Sequence, residues 1–369
     1  MAHAPRKVVI TGATGNVGTA LLRLFAAQEP ATVVTGIARR TPPRTAPYER
    51  AQWHELDLAR DDAYTTLVSL FAGADAVVHL AIAFQPARDR DYLRRTAIAG
   101  TRAVAQAARD AGVNHVVHLS SAAVYSPGAY GGYVTEQWPR RGMPRSIYSV
   151  DKVAEEDVLD EIEHAIASDG QAPLVVTRLR PGLIAQHDEA TALLRYAAPS
   201  YLPRSLTARI PALPVLLLDR ALTLPVVHTD DVADAVMKAL THRAPGTFNI
   251  AADEPLTANL LRDAFDAHLV HVPATALNIV TNMAWSLHLS PIHRGWIDLA
   301  YATPLVDCSR AHTELGWRPQ HDTESVIREL VAGFEDRSRS TSAVLGERSP
   351  AVRLRKLLTS GPVTRRKLP

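Results

Sequence analysis

In the first half of the chain, short apolar bursts alternate with longer stretches whose apolar residues recur at helical spacing. Val8, Val9 and Ile10 make the first burst, and Leu21, Leu22, Leu24 and Phe25 the helical face after it. Residues 32–37 read as a second strand, ending at Arg39 and Arg40. Residues 54–58 read as a third with Asp57 at its exit, and residues 76–81 as a fourth. An alanine-rich helix is predicted over residues 94–111. A fifth strand over 116–119 runs into Ser120 and Ser121, and a sixth over 174–179 is stopped by Arg180, Pro181 and Gly182. This rhythm is that of a doubly wound, parallel α/β sheet. Ligands on such a sheet sit at the carboxyl ends of the strands, where the turn after Ile10, Arg39, Ala81 and Ser121 all fall.

The second half is less regular. A proline-rich stretch over 198–225 suggests a smaller lobe, residues 226–231 lead into a helix through Ala233, Val236 and Leu240, and 247–250 is a short strand. From Arg337 onward arginine, serine, lysine and proline accumulate, which reads as a mobile basic tail. Its amphipathic piece at 352–358 fits a solvated tail better than a membrane or partner contact. The division expected is a Rossmann-type core over 1–180, a smaller substrate lobe with returning core elements over 181–332, and the tail over 333–369.

Composition narrows the class. At 369 residues the chain has room for two units, and 47% hydrophobic with 21% charged residues is ordinary for a globular protein. A net charge of +2 implies no general attraction to nucleic acid. The single cysteine, Cys308, excludes an intrachain disulfide and a multi-cysteine zinc site, and suits a reducing cytoplasm. No apolar segment comes after Arg6 and Lys7 as in a secretory signal, and Asp219, Arg220 and prolines interrupt the long apolar stretch at 210–227, so no membrane span is expected.

The candidate chemistry starts at the glycines. Gly12, Gly15 and Gly18 stand three apart between a strand and a helix. That spacing suits an ordinary turn, and it also suits a bound pyrophosphate. Gly12 takes the tight turn, Gly15 lets backbone amides approach phosphate oxygens, and Gly18 lets the helix pack closely, with the helix N-terminus facing the anion. At the end of the second strand a carboxylate would hold ribose hydroxyls, whereas Arg39 and Arg40 suit a 2′-phosphate. NADP is therefore favoured, with NAD the alternative. Asp57 either accepts from an adenine amino group or caps the next helix.

Tyr148 and Lys152 lie four apart, one turn along a single helix face. An ammonium beside a phenol favours proton exchange with a carbonyl or alcohol oxygen, and Ser121 offers that oxygen a second hydrogen bond. A nicotinamide at the same strand ends would exchange the hydride. His228, Asp230 and Asp231 before a helix suit capping better than a metal, and none is expected. No G-x-S-x-G, H-E-x-x-H or Walker pattern is present.

With these residues in place, the chain resembles the extended short-chain dehydrogenase/reductase superfamily, and within it the NAD(P)-dependent epimerase/dehydratase group. The resemblance spans about residues 6–330. It rests on TGATGNVG (11–18), LDL (56–58), HLA (79–81), LSSAAVY (119–125), YSVDK (148–152), RLRPG (178–182), VVHTDDVADAV (226–236), FNIA (248–251) and DCSRAHTELGWRP (307–319). It implies Tyr148 as the acid/base, Lys152 as its partner and ribose anchor, and Ser121 as the positioning hydroxyl. It implies pyrophosphate contacts from Gly12, Thr14, Gly15, Asn16, Val17 and Gly18, and adenine contacts from Asp57 and Leu58. Leu80 and Ala81 would border the cofactor, and Pro181, Gly182, Leu183 and Ile184 the nicotinamide. It also implies a homodimer through the helices at 94–111 and 148–166.

Departures from the group's pattern shape the expected activity. Dehydratases of the group place an acidic pair after the catalytic hydroxyl, where this chain has Ala122 and Ala123, so dehydration is disfavoured. Sugar-nucleotide epimerases usually carry an asparagine just before the proline of the sixth-strand motif, where this chain has Arg180, which would still suit a phosphate. Ala97 stands where many relatives have asparagine. The expectation is an NADP-preferring oxidoreductase for a small carbonyl/alcohol pair. Epimerisation of a nucleotide sugar is the alternative, and a non-catalytic NADP-binding regulator comes third.

Overall fold

The computed structural model describes residues 5–82, 90–128, 130–169, 174–190, 214–287, 290, 292 and 294–335. Strand β1 (Lys7–Thr11) turns through the glycines into α1 (Asn16–Gln28). Then come β2 (Val33–Ala38), β3 (Gln52–Glu55), α2 (Ala63–Phe71) and β4 (Ala76–His79). Next are α3 (Arg90–Arg94), α4 (Gly100–Asp110), β5 (His115–Leu119), β6 (Tyr133–Val134), α5 (Ile147–Asp169) and β7 (Val175–Pro181). The remaining strands are β8 (Leu183–Ala185), β9 (Val215–Leu218), β10 (Thr223–Leu224), β11 (Val226–His228), β12 (Gly246–Ile250), β13 (Leu256–Thr257), β14 (His268–His271) and β15 (Leu305–Val306). Between and after them run α6 (Thr229–His242), α7 (Ala258–Ala264), α8 (Ala274–Ser286), α9 (Arg294–Ala302), α10 (Ser309–Glu314) and α11 (Thr323–Glu335).

Seven strands form one sheet in the order β12, β7, β5, β4, β1, β2, β3. Its pairings are parallel: Val8 lies opposite Val34 and Ala76, and Val117 opposite Val78 and Thr177. Successive residues point to opposite faces, and helices cover both. Val8 and Ile10 pack with Leu21, Phe25, Val236 and Trp317 on one side. Val9 and Val77 pack with Leu67, Phe71, Val104 and Leu159 on the other. Burial on both faces is why these strands read as unbroken apolar runs, each large side chain contributing roughly 1.5–3 kcal/mol. This is the α/β doubly wound architecture expected. The C-terminal half of the chain adds two-stranded pairings, β9 with β14 and β10 with β13.

Several element boundaries differ from expectation, β4 ending at His79 instead of 81 and β7 running on to Pro181 instead of stopping at 179. The helix predicted over 94–111 is broken by a π-helical turn at Arg95–Ala99, closed by an i→i−5 bond from the Gly100 N–H to the Arg95 carbonyl. Thr96 and Ala97 on this turn are both buried. The third strand ends at Glu55 instead of 58, because Asp57 turns the chain by accepting the Ala59 N–H at 3.0 Å. Residues 198–213 of the proline-rich stretch, and the tail from Arg337 with its 352–358 piece, lie outside the described residues. Among the described residues no helix is long and apolar enough to cross a membrane.

Candidate functional site

Gly12 has a φ of 74°, and its N–H reaches the Ile37 carbonyl at 2.9 Å. A Cβ there would lie 2.6 Å from the Ala81 nitrogen, so only glycine passes between the ends of β2 and β4. A Cβ on Gly18 would meet the Gly12 oxygen at 2.6 Å, which ties the third glycine to close helix packing. Gly15 differs. It is the N-cap of α1, with extended backbone and no side-chain cap, and no acidic residue occupies the first turn. Its Cβ position meets only the Gly12 oxygen, at 3.1 Å. Backbone N–H groups with a positive dipole end, unencumbered by a cap, suit a diphosphate. Thr14, Val17 and Gly18 are buried in the same turn, and the Asn16 amide oxygen accepts from Gln186, beyond the end of β8.

At the end of β2, Arg39 and Arg40 are both exposed. Arg39 donates to the Tyr92 hydroxyl at 3.1 Å, and that hydroxyl donates to Asp57 at 2.9 Å. Asp57 therefore caps its own turn and holds Tyr92 in a chain that ends on Arg39. Leu58 is buried against Gly100. Leu80 extends the β4 edge, its N–H on the Thr11 carbonyl at 3.0 Å, and Ala81 is half-buried beside Gly12.

The Ser121 Oγ accepts the Ala123 N–H at 3.1 Å, an arrangement that leaves its own hydrogen to be donated. Ser149 pins α5 to the turn after β5, donating to the Ala123 carbonyl at 2.7 Å and accepting from the Met143 N–H at 2.7 Å. Tyr148 stands beside Ser149, half-buried, with the Trp296 ring of α9 stacked on it at 6.2 Å between centroids. One turn on, the buried Lys152 ammonium donates to the Leu119 carbonyl and to Glu155 Oε2, both at 2.8 Å. Leu119 is two residues before Ser121, so Lys152 is anchored at the end of β5 that leads into Ser121, with Tyr148 on the helix that carries Lys152. Pro181 ends β7; Gly182 is half-buried, where a Cβ would lie 2.5 Å from the Pro225 oxygen. Leu183 is exposed and Ile184 half-buried on β8.

Buried charges surround this edge. Burial pulls the Lys152 pKa down, but Glu155 and Tyr148 more than offset it, and the ammonium is held above its ordinary value. Burial pushes Glu155 up, yet Lys152 and His118 bring it down to about 2. Sequence reasoning missed a second pair, Arg180 with Glu156. The Nε–Oε1 distance is 2.9 Å and the Nη2–Oε2 distance 2.5 Å, with both side chains buried. Ser120 donates to the same carboxylate, and the guanidinium lies 4.8 Å over the Tyr125 ring. Arg180 is thus committed to α5 and does not suit the phosphate role that its position suggested. The signal was in the sequence: Glu155 and Glu156 come after Lys152 at helical spacing. His228 accepts the Asp230 N–H at 3.2 Å and caps α6. Among the described residues no three His, Cys, Asp or Glu side chains are grouped to hold a metal ion.

A family model described as the NAD dependent epimerase/dehydratase family matches residues 8–251, more than half of the chain. The uncharacterized protein y4nG of Sinorhizobium fredii (strain NBRC 101917 / NGR234) is 25% identical over 317 residues, covering 81% of this chain and 72% of that protein. Among solved structures, MoeE5 in complex with UDP-glucuronic acid and NAD is 19% identical, with a TM-score of 0.64 over 90% of this chain and 99% of that one. The UDP-glucose 4-epimerase of Thermotoga maritima, solved with UDP-glucose, is 17% identical, with a TM-score of 0.65 over 90% and 99%. A short-chain dehydrogenase/reductase superfamily protein of Agrobacterium tumefaciens with bound NAD is 20% identical, with a TM-score of 0.65 over 90% and 98%. At these identities the structural likeness is one of fold.

Proposed function

The chain belongs to the NAD dependent epimerase/dehydratase family, and from that premise we propose that it is an NADP-preferring oxidoreductase that interconverts a carbonyl and an alcohol. The observation that carries the reading is the anchoring of Lys152 on the Leu119 carbonyl, at the strand end that leads into Ser121, with Tyr148 one turn before it on α5. NADP, when bound, supplies or takes up the hydride. In the reducing direction Tyr148 gives its hydroxyl proton to the substrate oxygen as the carbonyl carbon gains the hydride. In the oxidising direction it takes that proton back. Ser121 donates a hydrogen bond to the same oxygen, and the Lys152 charge favours the phenolate left behind. The glycine turn holds the diphosphate, Arg39 and Arg40 the 2′-phosphate, and Leu80, Ala81 and residues 181–184 border the ring.

Nucleotide-sugar epimerisation is the second reading. It is supported by the two UDP-sugar complexes, each matched over 90% of this chain. Against it stands Arg180, whose charge is taken up by Glu156. Elimination of water is disfavoured by Ala122 and Ala123, which transfer no protons. We read the protein as cytoplasmic, with the core, lobe and tail divided near residues 180 and 332, and as a homodimer through α4 and α5.

Purified protein should oxidise NADPH when offered ketones, and Tyr148→Phe should cut that turnover by about 10²–10⁴-fold, the usual worth of a positioned acid/base. Retained cofactor that is never consumed, together with turnover of a UDP-sugar, supports the second reading. A Tyr148→Phe enzyme within a few-fold of the parent overturns both.

A further inference from the structure

Building on that reading of Lys152, we propose that Glu155 is a positioning residue that clamps the Lys152 ammonium at the cofactor edge, with His118 and His79 as its buried backing. Glu155 is 2% exposed and lies one helical turn from Lys152. Its Oε2 accepts from Lys152 at 2.8 Å and stands 3.2 Å from His118 Nε2. His118, on β5, packs against His79 on β4, ring centroids 5.3 Å apart. The His79 ring is fixed at both nitrogens, 2.7 Å from the Thr11 hydroxyl and 3.0 Å from that of Thr101. A row of buried groups therefore runs from α5 across β5 and β4 to β1, and ends against the strand that enters the glycine turn.

A buried ammonium without a partner sheds its proton, because a low-dielectric surrounding disfavours charge. A lysine side chain also carries about 2 kcal/mol of rotamer entropy and points nowhere in particular until it is held. Leu119 and Glu155 take two of the three ammonium hydrogens and so fix its direction, and Glu155 alone brings the opposite charge. Glu156 cannot substitute, since Arg180 and Ser120 occupy its carboxylate. The other charged and titratable groups facing the pair are few. On α5 there are Tyr148 and Asp151, the latter raised to about 6 by burial and influenced by Arg90 and Arg94 of α3. From the sheet there are His118 and His79, which burial keeps neutral, His79 at about 3. Glu155 is therefore the one carboxylate bonded to the Lys152 ammonium among the described residues, while Glu156 and Asp151 act on it through charge alone.

The test compares the full-length parent with Glu155→Gln and Glu155→Asp, using NADPH as the probe. Lysine Nζ resonances are titrated by NMR, with Lys152→Met to assign the signal. In the parent Lys152 keeps its proton through the alkaline range. In Glu155→Gln it should titrate more than one pH unit lower, NADPH affinity should fall roughly tenfold, and that affinity should weaken further as pH rises through the new titration. Glu155→Asp, which keeps the charge, should restore the parent pattern in large part. A Glu155→Gln protein that melts earlier but keeps the parent Lys152 titration and the parent pH dependence of NADPH binding overturns the proposal. If Glu155→Gln does not fold, Glu155→Asp decides, since a Lys152 signal that still titrates low in it also overturns the proposal. If neither NADPH nor NADH binds the parent, the cofactor reading fails, while the NMR titration still decides the Glu155–Lys152 link.

Discussion

Around Gly12 the fold is held by backbone atoms at short range, whereas around Lys152 it is held by side chains arriving from α5, β5 and β7. The glycine turn is closed by N–H bonds from Gly12 to Ile37 and from Gly15 to Gly12, both 2.9 Å, and by the lack of side chains where Gly12 and Gly18 pass their neighbours. The α5 edge is closed by buried ion pairs, Lys152 with Glu155 and Arg180 with Glu156. The first region is broken by adding atoms and the second by removing a charge. Both are needed at one sheet edge, because a phosphate is bound by amides that must come close, and a proton is handled by charges that must be held.

The largest effect should come from the side-chain-built edge. Glu156→Gln leaves the buried Arg180 charge unpaired, and the expected loss is about 3–5 kcal/mol, read from denaturant unfolding. Adding Arg180→Met should recover much of it, because no orphan charge then remains; an equally unstable double variant would show that packing, not the ion pair, matters there. On the backbone-built side, Gly18→Ala forces α1 away from the Gly12 oxygen and should cost about 1–3 kcal/mol and weaken dinucleotide binding. Gly15→Ala, with its one contact at 3.1 Å, should cost less stability. The reverse order would erase the distinction between the second and third glycines.

At the nucleotide end of the turn, replacing Arg39 and Arg40 with alanine should weaken NADP by roughly 10–100-fold relative to NAD, the worth of charge-assisted hydrogen bonds. Equal loss for both cofactors in a binding titration would remove the NADP assignment. The last effect is one of pH. Burial lowers His79 to about 3, helped by His118, and His115 to about 4, helped by Arg243. In the unfolded chain these imidazoles take up protons below about 6.5, while in the folded protein they do not until far lower. Stability should therefore be full above pH 6.5 and decline as pH falls from there toward 4. Below about 4.5 the depressed Glu155 and Glu156 add loss in the same direction. Asp151, raised to about 6, acts in the opposite sense over this range, so the test uses Asp151→Asn protein, in which a melting temperature equal at pH 7 and pH 5 would contradict the buried, neutral histidines.

Much of the fold and of the site is legible in the residue pattern alone, and the reason is range. Val8 to Ile10, the glycine spacing, and Tyr148 with Lys152 one turn apart are local patterns, set by periods of two and 3.6 residues. The break at Arg95–Ala99 is not legible there, because a π turn is one extra residue in an otherwise helical pattern. Nor is Trp296 over Tyr148, or Gln186 on Asn16, whose partners lie 170 residues apart. Those contacts depend on how later segments pack over the sheet edge.

By itself the sequence determined the alternation of strands and helices and the set of groups available at the strand ends, since both arise from local periodicity and residue chemistry. Only the tertiary structure decided which charges are free to act. Arg180 read as a candidate for phosphate until β7 and α5 came together around Glu156. Glu155 had no reading of its own until β5 put His118 beneath it and α5 turned it onto Lys152. The partner of a buried charge is chosen by strand order and helix register, because the cost of leaving it unpaired is met only by what the fold brings within about 3 Å.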